Sequence, residues 1–350
     1  MVAEFKRRTT FVVAVCVCGV AAAMFLWAAR VILLLIFAGL LGALLLTVIT
    51  DWTRDALRLR RSLAFSLVVV LIAVGFGLGI WMRGSAFVQQ FSDLQVDLPS
   101  AVHQVCMRLE AHNWGRWLLS RYADQAPLSN GLSYMLTRIG GFVASTASTF
   151  VGLFVVVAVS LYVAAEPSSY LRVIHYITPL AYEKKLDSCL ASAAHLLRSW
   201  LFAKSISMIS IGVFIALGLW ALQVPLAGTL GLIAALLTFI PNLGPVISVV
   251  PAALLAFAIS PTKGILTILL FGIAHFLEGN MVTPLLERKI VTLPPALTLA
   301  AQLLLASATG AIGVVLAAPL TAAALGIVMV LHPEDARPSS PNSQTQSGNG

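Results

Sequence analysis

Residues 226–259 read LAGTLGLIAALLTFIPNLGPVISVVPAALLAFAI, an apolar run broken at its centre by Pro241-Asn242-Leu243-Gly244-Pro245. Each proline removes a backbone donor and disfavours helix in the residue before it. Lipid offers no partner to a freed N–H or C=O, so such a break survives only where protein shelters it or where it lines a wet cavity. The stretch therefore reads as two short helical arms, 226–240 and 246–259, meeting at a tip. Each arm is about 15 residues, short of the ~20 that span a bilayer, so a re-entrant or broken hairpin fits better than two full spans. Broken segments of this kind point to a transporter's binding site.

The rest of the chain agrees with that environment. Hydrophobic residues make up 59% and charged residues 10%, and the mean hydropathy is +0.95. Soluble domains run at about 45–50% apolar and about 25% charged. The fold class expected is an all-α polytopic membrane protein, with room for roughly eight membrane segments of ~20 residues and one modest insert. The net charge of +8 is not a nucleic-acid signature, because the basic residues flank apolar segments, where they set topology and meet anionic lipid. Cys16, Cys18, Cys106 and Cys189 form no CxxC and no metal-ligand spacing, so neither a disulfide framework, a metal site nor a cofactor is expected.

Taken in order, 1–83 is expected to hold three transmembrane helices. Lys6-Arg7-Arg8 and the apolar run 11–29 read as an uncleaved signal anchor. A second segment, 31–49, follows after a tight turn at Arg30, and a third covers 62–82. Arg54, Arg58, Arg60 and Arg61 join the N-terminal cluster in placing the N-terminus and 51–61 in the cytoplasm. The stretch 84–139 has soluble character. Pro99-Ser100 looks like a helix start, and apolar residues recur there at helical spacing, as in amphipathic helices lying over the outer face. His103 and His112 project from different sides of such a helix. The stretch 140–204 combines a fourth membrane segment, ended by Glu166-Pro167, with a cytoplasmic amphipathic helix. Its Ser- and Thr-rich start, 144–149, suits close packing, with a polar path as the alternative.

The stretch 205–331 is expected to be a transport core with two hairpins. A second hairpin begins at Pro294-Pro295 and turns near Thr309-Gly310-Ala311-Ile312-Gly313. Both hairpins carry glycine at the tip and a proline in the second arm, Pro251 and Pro319. A span plus a hairpin, repeated, gives an inverted repeat, which places Ser260 and Pro284 on opposite sides of the membrane. The tail 332–350 reads as disordered.

Glu278 is the leading working residue, because it lies about ten residues, or ~15 Å of helix, inside the basic flank at Arg288. A carboxylate at such depth is costly and usually functional. His275 shares its face; Gly279 and Asn280 add a close-approach point and an amide. The alternative is a structural glutamate satisfied by tip N–H groups or by His275. Asn242 offers an amide at the first tip and Gly244 lets backbone approach a ligand, against the reading that both simply build a turn. The ion or substrate path candidates are thus Pro241, Asn242, Gly244, Pro245, His275, Glu278, Asn280, Thr309, Gly310 and Gly313. Gln223, Thr298 and Gln302 are weaker polar candidates, expected to be satisfied by neighbouring helices. His275-Phe276-Leu277-Glu278 is not HExxH, so a zinc hydrolase is a poor fit, and no catalytic residue is assigned.

Phe239-Ile240-Pro241-Asn242-Leu243-Gly244-Pro245 with Pro251 resembles the signature of the autoinducer-2 exporter family of bacterial permeases (PerM-type). Leu277-Glu278-Gly279-Asn280-Met281-Val282-Thr283-Pro284, Leu293-Pro294-Pro295 and residues 310–319 are similar to its later motifs, in order. The resemblance covers 11–331 and is strongest after Arg198. Family members often carry glycine before the Val-Pro where this chain has Gln223. The resemblance implies about eight membrane segments, an external insert after the third, homo-oligomers in the bacterial inner membrane, and export or exchange of a small solute. Some members look like sodium/proton antiporters. The function expected is a permease, not an enzyme, coupled to protons or sodium. The alternatives are a monovalent cation/proton antiporter and a membrane assembly factor without flux.

Overall fold

The structure is a computed structural model that describes residues 2–110, 146–282 and 294–332. Every regular element among them is helical. Helix α1 is Val2–Leu57 and α2 is Arg61–Glu110; α3 is Thr146–Ala165, α4 Pro167–Ile177, α5 Glu183–Ala221, α6 Ala227–Thr238 and α7 Leu243–Ile259. Helix α8, Pro261–Leu277, runs into a π-helical turn, Glu278–Val282, and α9, Pro295–Thr309, and α10, Ala311–Leu331, complete the chain. Four helical stretches are long and apolar enough to cross a membrane: Gly19–Leu57, Leu180–Ala221, Pro261–Met281 and Ala311–Leu331. A fifth is possible if α3 and α4, bent by 89° at Glu166-Pro167, count as one span. The count of about eight segments is therefore not reached among the described residues.

Three expected breaks are absent. Arg30 does not turn the chain; α1 runs straight through it. Arginine is a good helix former, and its charge finds partners without leaving the helix. Its Nε donates to Ala308 O at 2.7 Å, one Nη donates to Trp27 O at 2.7 Å, and the guanidinium lies 4.5 Å from the Trp27 ring centroid. The basic clusters at 6–8 and 54–61 consequently lie at opposite ends of one long helix. Clusters at opposite ends of one apolar helix need not share a side of the membrane. Helix α2 also continues through Pro99. Its distal half, the described part of the expected insert 84–139, buries Leu98 and Ala101 in the core, and 111–139 lies outside the described residues. Helix α5 joins the expected amphipathic helix to the expected fifth span, because the change of polarity near Lys204 contains no glycine or proline to break it.

The surface inverts the soluble pattern. Leu303, Leu304, Trp220 and Phe276 are 72%, 70%, 74% and 66% exposed, whereas Ser207, Thr229, Ser248, Thr267 and Gln302 are buried. Large apolar surface of this extent marks contact with lipid or partners. Two cores lie along α5. One gathers Leu98, Ile211, Ile215, Leu219, Leu230, Ala252, Leu255 and Phe271 from α2 and α5–α8. The other gathers Leu34, Leu41, Leu197, Leu201, Leu316 and Ala322 from α1, α5 and α10. Phe239 and Ile312, one from each hairpin tip, pack on this second core.

Candidate functional site between two hairpins and the end of α8

Helix α8 starts cleanly. Pro261 occupies its first turn and the Ser260 side chain accepts from Lys263 N at 3.2 Å, satisfying a donor that the helix leaves open. Its buried face, Gly264, Thr267, Phe271 and Ala274, continues at helical spacing to His275 and Glu278. At Glu278 the helix widens into the π turn, a local form that recurs at functional sites. Asn280 is exposed and donates its side-chain amide back to Phe276 O at 2.9 Å, on the outer side of the helix.

Helix α5 supplies the partner. Ser207 Oγ, buried, donates to Glu278 Oε1. Glu278 therefore pairs neither with a hairpin tip nor with His275. Both ring nitrogens of His275 are buried without a hydrogen-bond partner, and so is the Thr267 hydroxyl. Lys204 lies one turn before Ser207 on α5. Each buried, unpaired polar group costs about 1–3 kcal/mol. The interior face of α8 thus carries polar groups over roughly 16 Å of helix from Thr267 to Glu278. A carboxylate with one hydroxyl donor and an open imidazole nearby can take up and release a proton, or offer oxygens to a small cation.

The first tip is held by an unusual turn. Leu243 N donates to Pro241 O at 2.7 Å, and Asn242 between them has φ 64° and ψ −45°. This is a γ-turn of the rare, strained hand. Gln302 Nε2, on the first arm of the second hairpin, donates to the same Pro241 carbonyl at 3.0 Å. The Phe239 ring meets Trp200 edge-on at 5.5 Å between centroids. We expect Asn242→Gly to leave thermal stability unchanged or slightly raised, and Asn242→Val to cost roughly 1–3 kcal/mol. Unfolding of both variants in detergent measures this.

The two tips are built alike. A Cβ added to Gly244 would collide with Leu237 O and lie 2.6 Å from Leu237 C. One added to Gly313 would collide with Leu305 O and lie 2.6 Å from Leu305 C. In each hairpin a glycine lets the second arm start directly against the last turn of the first. Gly310, with φ 70°, makes the second turn, and Thr309 Oγ1 bonds back to Leu305 O at 2.9 Å.

The structure brings Pro241 to Gln302, and both tips to one apolar core. Asn242 and Gly310 are exposed, Pro245 is half-buried, and Gly244 and Gly313 are buried. Glu278 meets α5 at Ser207, whereas the first tip meets it at Trp200, seven residues away. That is about 10 Å on nearly the same side of α5, so Glu278 and the tips are neighbours along one helix without touching. Thr283, Pro284 and Leu293 of the resemblance motifs lie outside the described residues, as do His112 and the tail from 333. Ser207 and Thr267 escape the reading of the sequence. Their one signal is a hydroxyl inside an otherwise apolar segment, which helix packing explains as readily as function. Gln302, expected to be satisfied, is only half so, since its Oε1 has no partner.

A family profile described as "AI-2E family transporter" matches residues 16–332. The chain is similar to "Putative transport protein YrrI" of Bacillus subtilis (strain 168), 24% identical over 301 residues and 82% of each chain. It is similar also to YueF of the same organism, of like description, 22% identical over 251 residues and 68% of each chain. A transport protein of like description from Thermotoga maritima is 24% identical over 192 residues, 54% of this chain and 57% of that one. With its apolar outward surface and a profile match over nearly its whole length, the chain belongs to the AI-2E transporter family, as a multi-pass membrane protein of permease type.

Proposed function

We propose that this permease exports or exchanges a small solute by alternating access, in step with a proton or a sodium ion carried at Glu278. One observation carries the reading. A carboxylate, an imidazole with two unpartnered nitrogens and a buried hydroxyl share the inner face of a helix whose outer face, at Ile273 and Phe276, is apolar and exposed. Ionisable groups inside membrane segments are expensive and mark ion or substrate pathways. The unpaired groups suit a closed state, in which opening would supply water or ligand to His275 and Thr267. Helix α5 supports the hairpins and Glu278 together, so movement of the hairpins can alter the surroundings of the carboxylate.

The Ser207–Glu278 oxygen pair favours one second reading, a monovalent cation/proton antiporter. Protein reconstituted in liposomes, or in everted vesicles, separates the two. Na⁺- or Li⁺-dependent proton movement without a further solute supports the antiporter. Ion movement that requires an organic solute supports the exporter. Absence of any ion- or solute-dependent flux removes both and leaves an assembly role. We place the chain in the bacterial inner membrane as a homo-oligomer, its exposed apolar helices covered by lipid and by further copies. The Arg58–Arg61 turn and the α5 start at Lys184-Lys185 face the cytoplasm.

A further inference from the structure

Helix α9 turns an unexpected side inward. Its buried side chains are Thr298 and Gln302, both polar, while Leu303 and Leu304 point outward at 72% and 70% exposure. One turn apart, the two share a face. Gln302 is 1% exposed, and its two ends differ: Nε2 donates to Pro241 O at 3.0 Å, whereas Oε1 is buried with no partner. The Pro241 carbonyl already accepts from Leu243 N as well. Thr298 donates its hydroxyl proton to Pro295 O at 2.8 Å, which leaves its oxygen free to accept.

Resting on the permease reading above, we propose that Gln302, at the junction with the first hairpin tip, and Thr298, one turn before it on the same face of α9, form the binding site for an uncharged solute that donates hydrogen bonds, such as a small polyol. The vacant positions are acceptors, so the ligand brings hydroxyl protons. A carboxylate or phosphate would set oxygen against oxygen. Among the described residues neither Gln302 nor Thr298 bonds a charged side chain, and with the Pro241 carbonyl already accepting two bonds the two free oxygens are too few to replace a bare cation's hydration shell. Phe239, two residues before Pro241, packs edge-on against Trp200, so the tip that carries the Pro241 carbonyl also carries the kind of apolar group that ligand sites combine with a few placed polar ones. Because Gln302 Oε1 is closed off in this state, the solute enters as the hairpins part and closes the junction by replacing the missing donor. Glu278, about 10 Å along α5, serves the ion and not the solute.

Thermal unfolding of the purified full chain, titrated with ribitol at low millimolar concentration, with sodium lactate and NaCl as charged probes, tests this. The expected result is a saturable rise in unfolding temperature with ribitol that depends on Thr298 and Gln302, whereas any rise with NaCl or sodium lactate survives both substitutions, as sodium bound at Glu278 requires. Gln302→Leu and Thr298→Val each weaken the ribitol half-saturation at least tenfold, and Thr298→Val leaves the Gln302–Pro241 bond in place as a check on folding. An equal ribitol response in Thr298→Val and wild type overturns the site. So does a non-saturating rise shared by all variants, which is the general effect of an excluded osmolyte. If ribitol fails while reconstituted protein still shows Glu278-dependent flux, the site falls and the permease reading stands. If flux is absent as well, both fall.

Discussion

Glu278→Gln is expected to lower coupled flux by at least roughly 100-fold, the scale for losing a positioned proton-transferring group, while the protein inserts and assembles as before. The expectation follows from what the side chain touches. Ser207 Oγ donates to Glu278 Oε1, and a glutamine oxygen accepts the same bond, so the contact between α5 and the π turn survives. What disappears is the ability to change charge. Flux in everted vesicles, beside expression level and unfolding temperature, separates the two effects. A smaller loss is expected from Ser207→Ala, which removes a donor and leaves the carboxylate. Loss of folding in Glu278→Gln would instead mark the residue as a structural strut, and full activity would remove it from the mechanism.

Gly244→Ala and Gly313→Ala form the second large effect. At both sites a new methyl strikes a backbone carbonyl, Leu237 O in one hairpin and Leu305 O in the other. Backbone cannot rotate away as a side-chain end can, so each change should cost about 1–3 kcal/mol or more. Each should also cost activity, since the arms must splay to make room. Gly279→Ala is the control, because a Cβ there meets nothing within 4 Å. Lower unfolding temperatures for the first two and no shift for the third are the expected results. Tolerance of both tip alanines would mean that the hairpins do not close as described.

The equivalence of these glycines bears on how much the sequence discloses. The proline and glycine of the first tip, the second hairpin and the lone carboxylate of Glu278 within an apolar run are all visible in it, because prolines and charges inside apolar runs have few explanations. The hairpin equivalence rests on the spacing from Gly244 to Pro251 and from Gly313 to Pro319, which geometry then sharpens into matching contacts. Helix continuity is not visible. Arg30 looks like a boundary, and only the contact with Ala308 O and the Trp27 ring explains why the helix ignores it. Pro99 likewise resembles a start, yet α2 buries Leu98 and Ala101 against α5–α8, and that packing lies far away in sequence. Ser207 and Gln302 are hidden for a related reason. Each has a partner more than sixty residues distant, Glu278 and Pro241, and periodicity reports only on near neighbours.

The central claim is that the backbone at 241–245 leaves its helix to enclose something. Single-cysteine variants across those positions, in an otherwise cysteine-free protein reconstituted in liposomes, can be labelled with a membrane-impermeant thiol reagent. Labelling that is slow at rest and changes with the ion gradient or with added solute is the predicted result. Rapid, complete labelling that ignores both, as on an ordinary surface loop in bulk water, would contradict it.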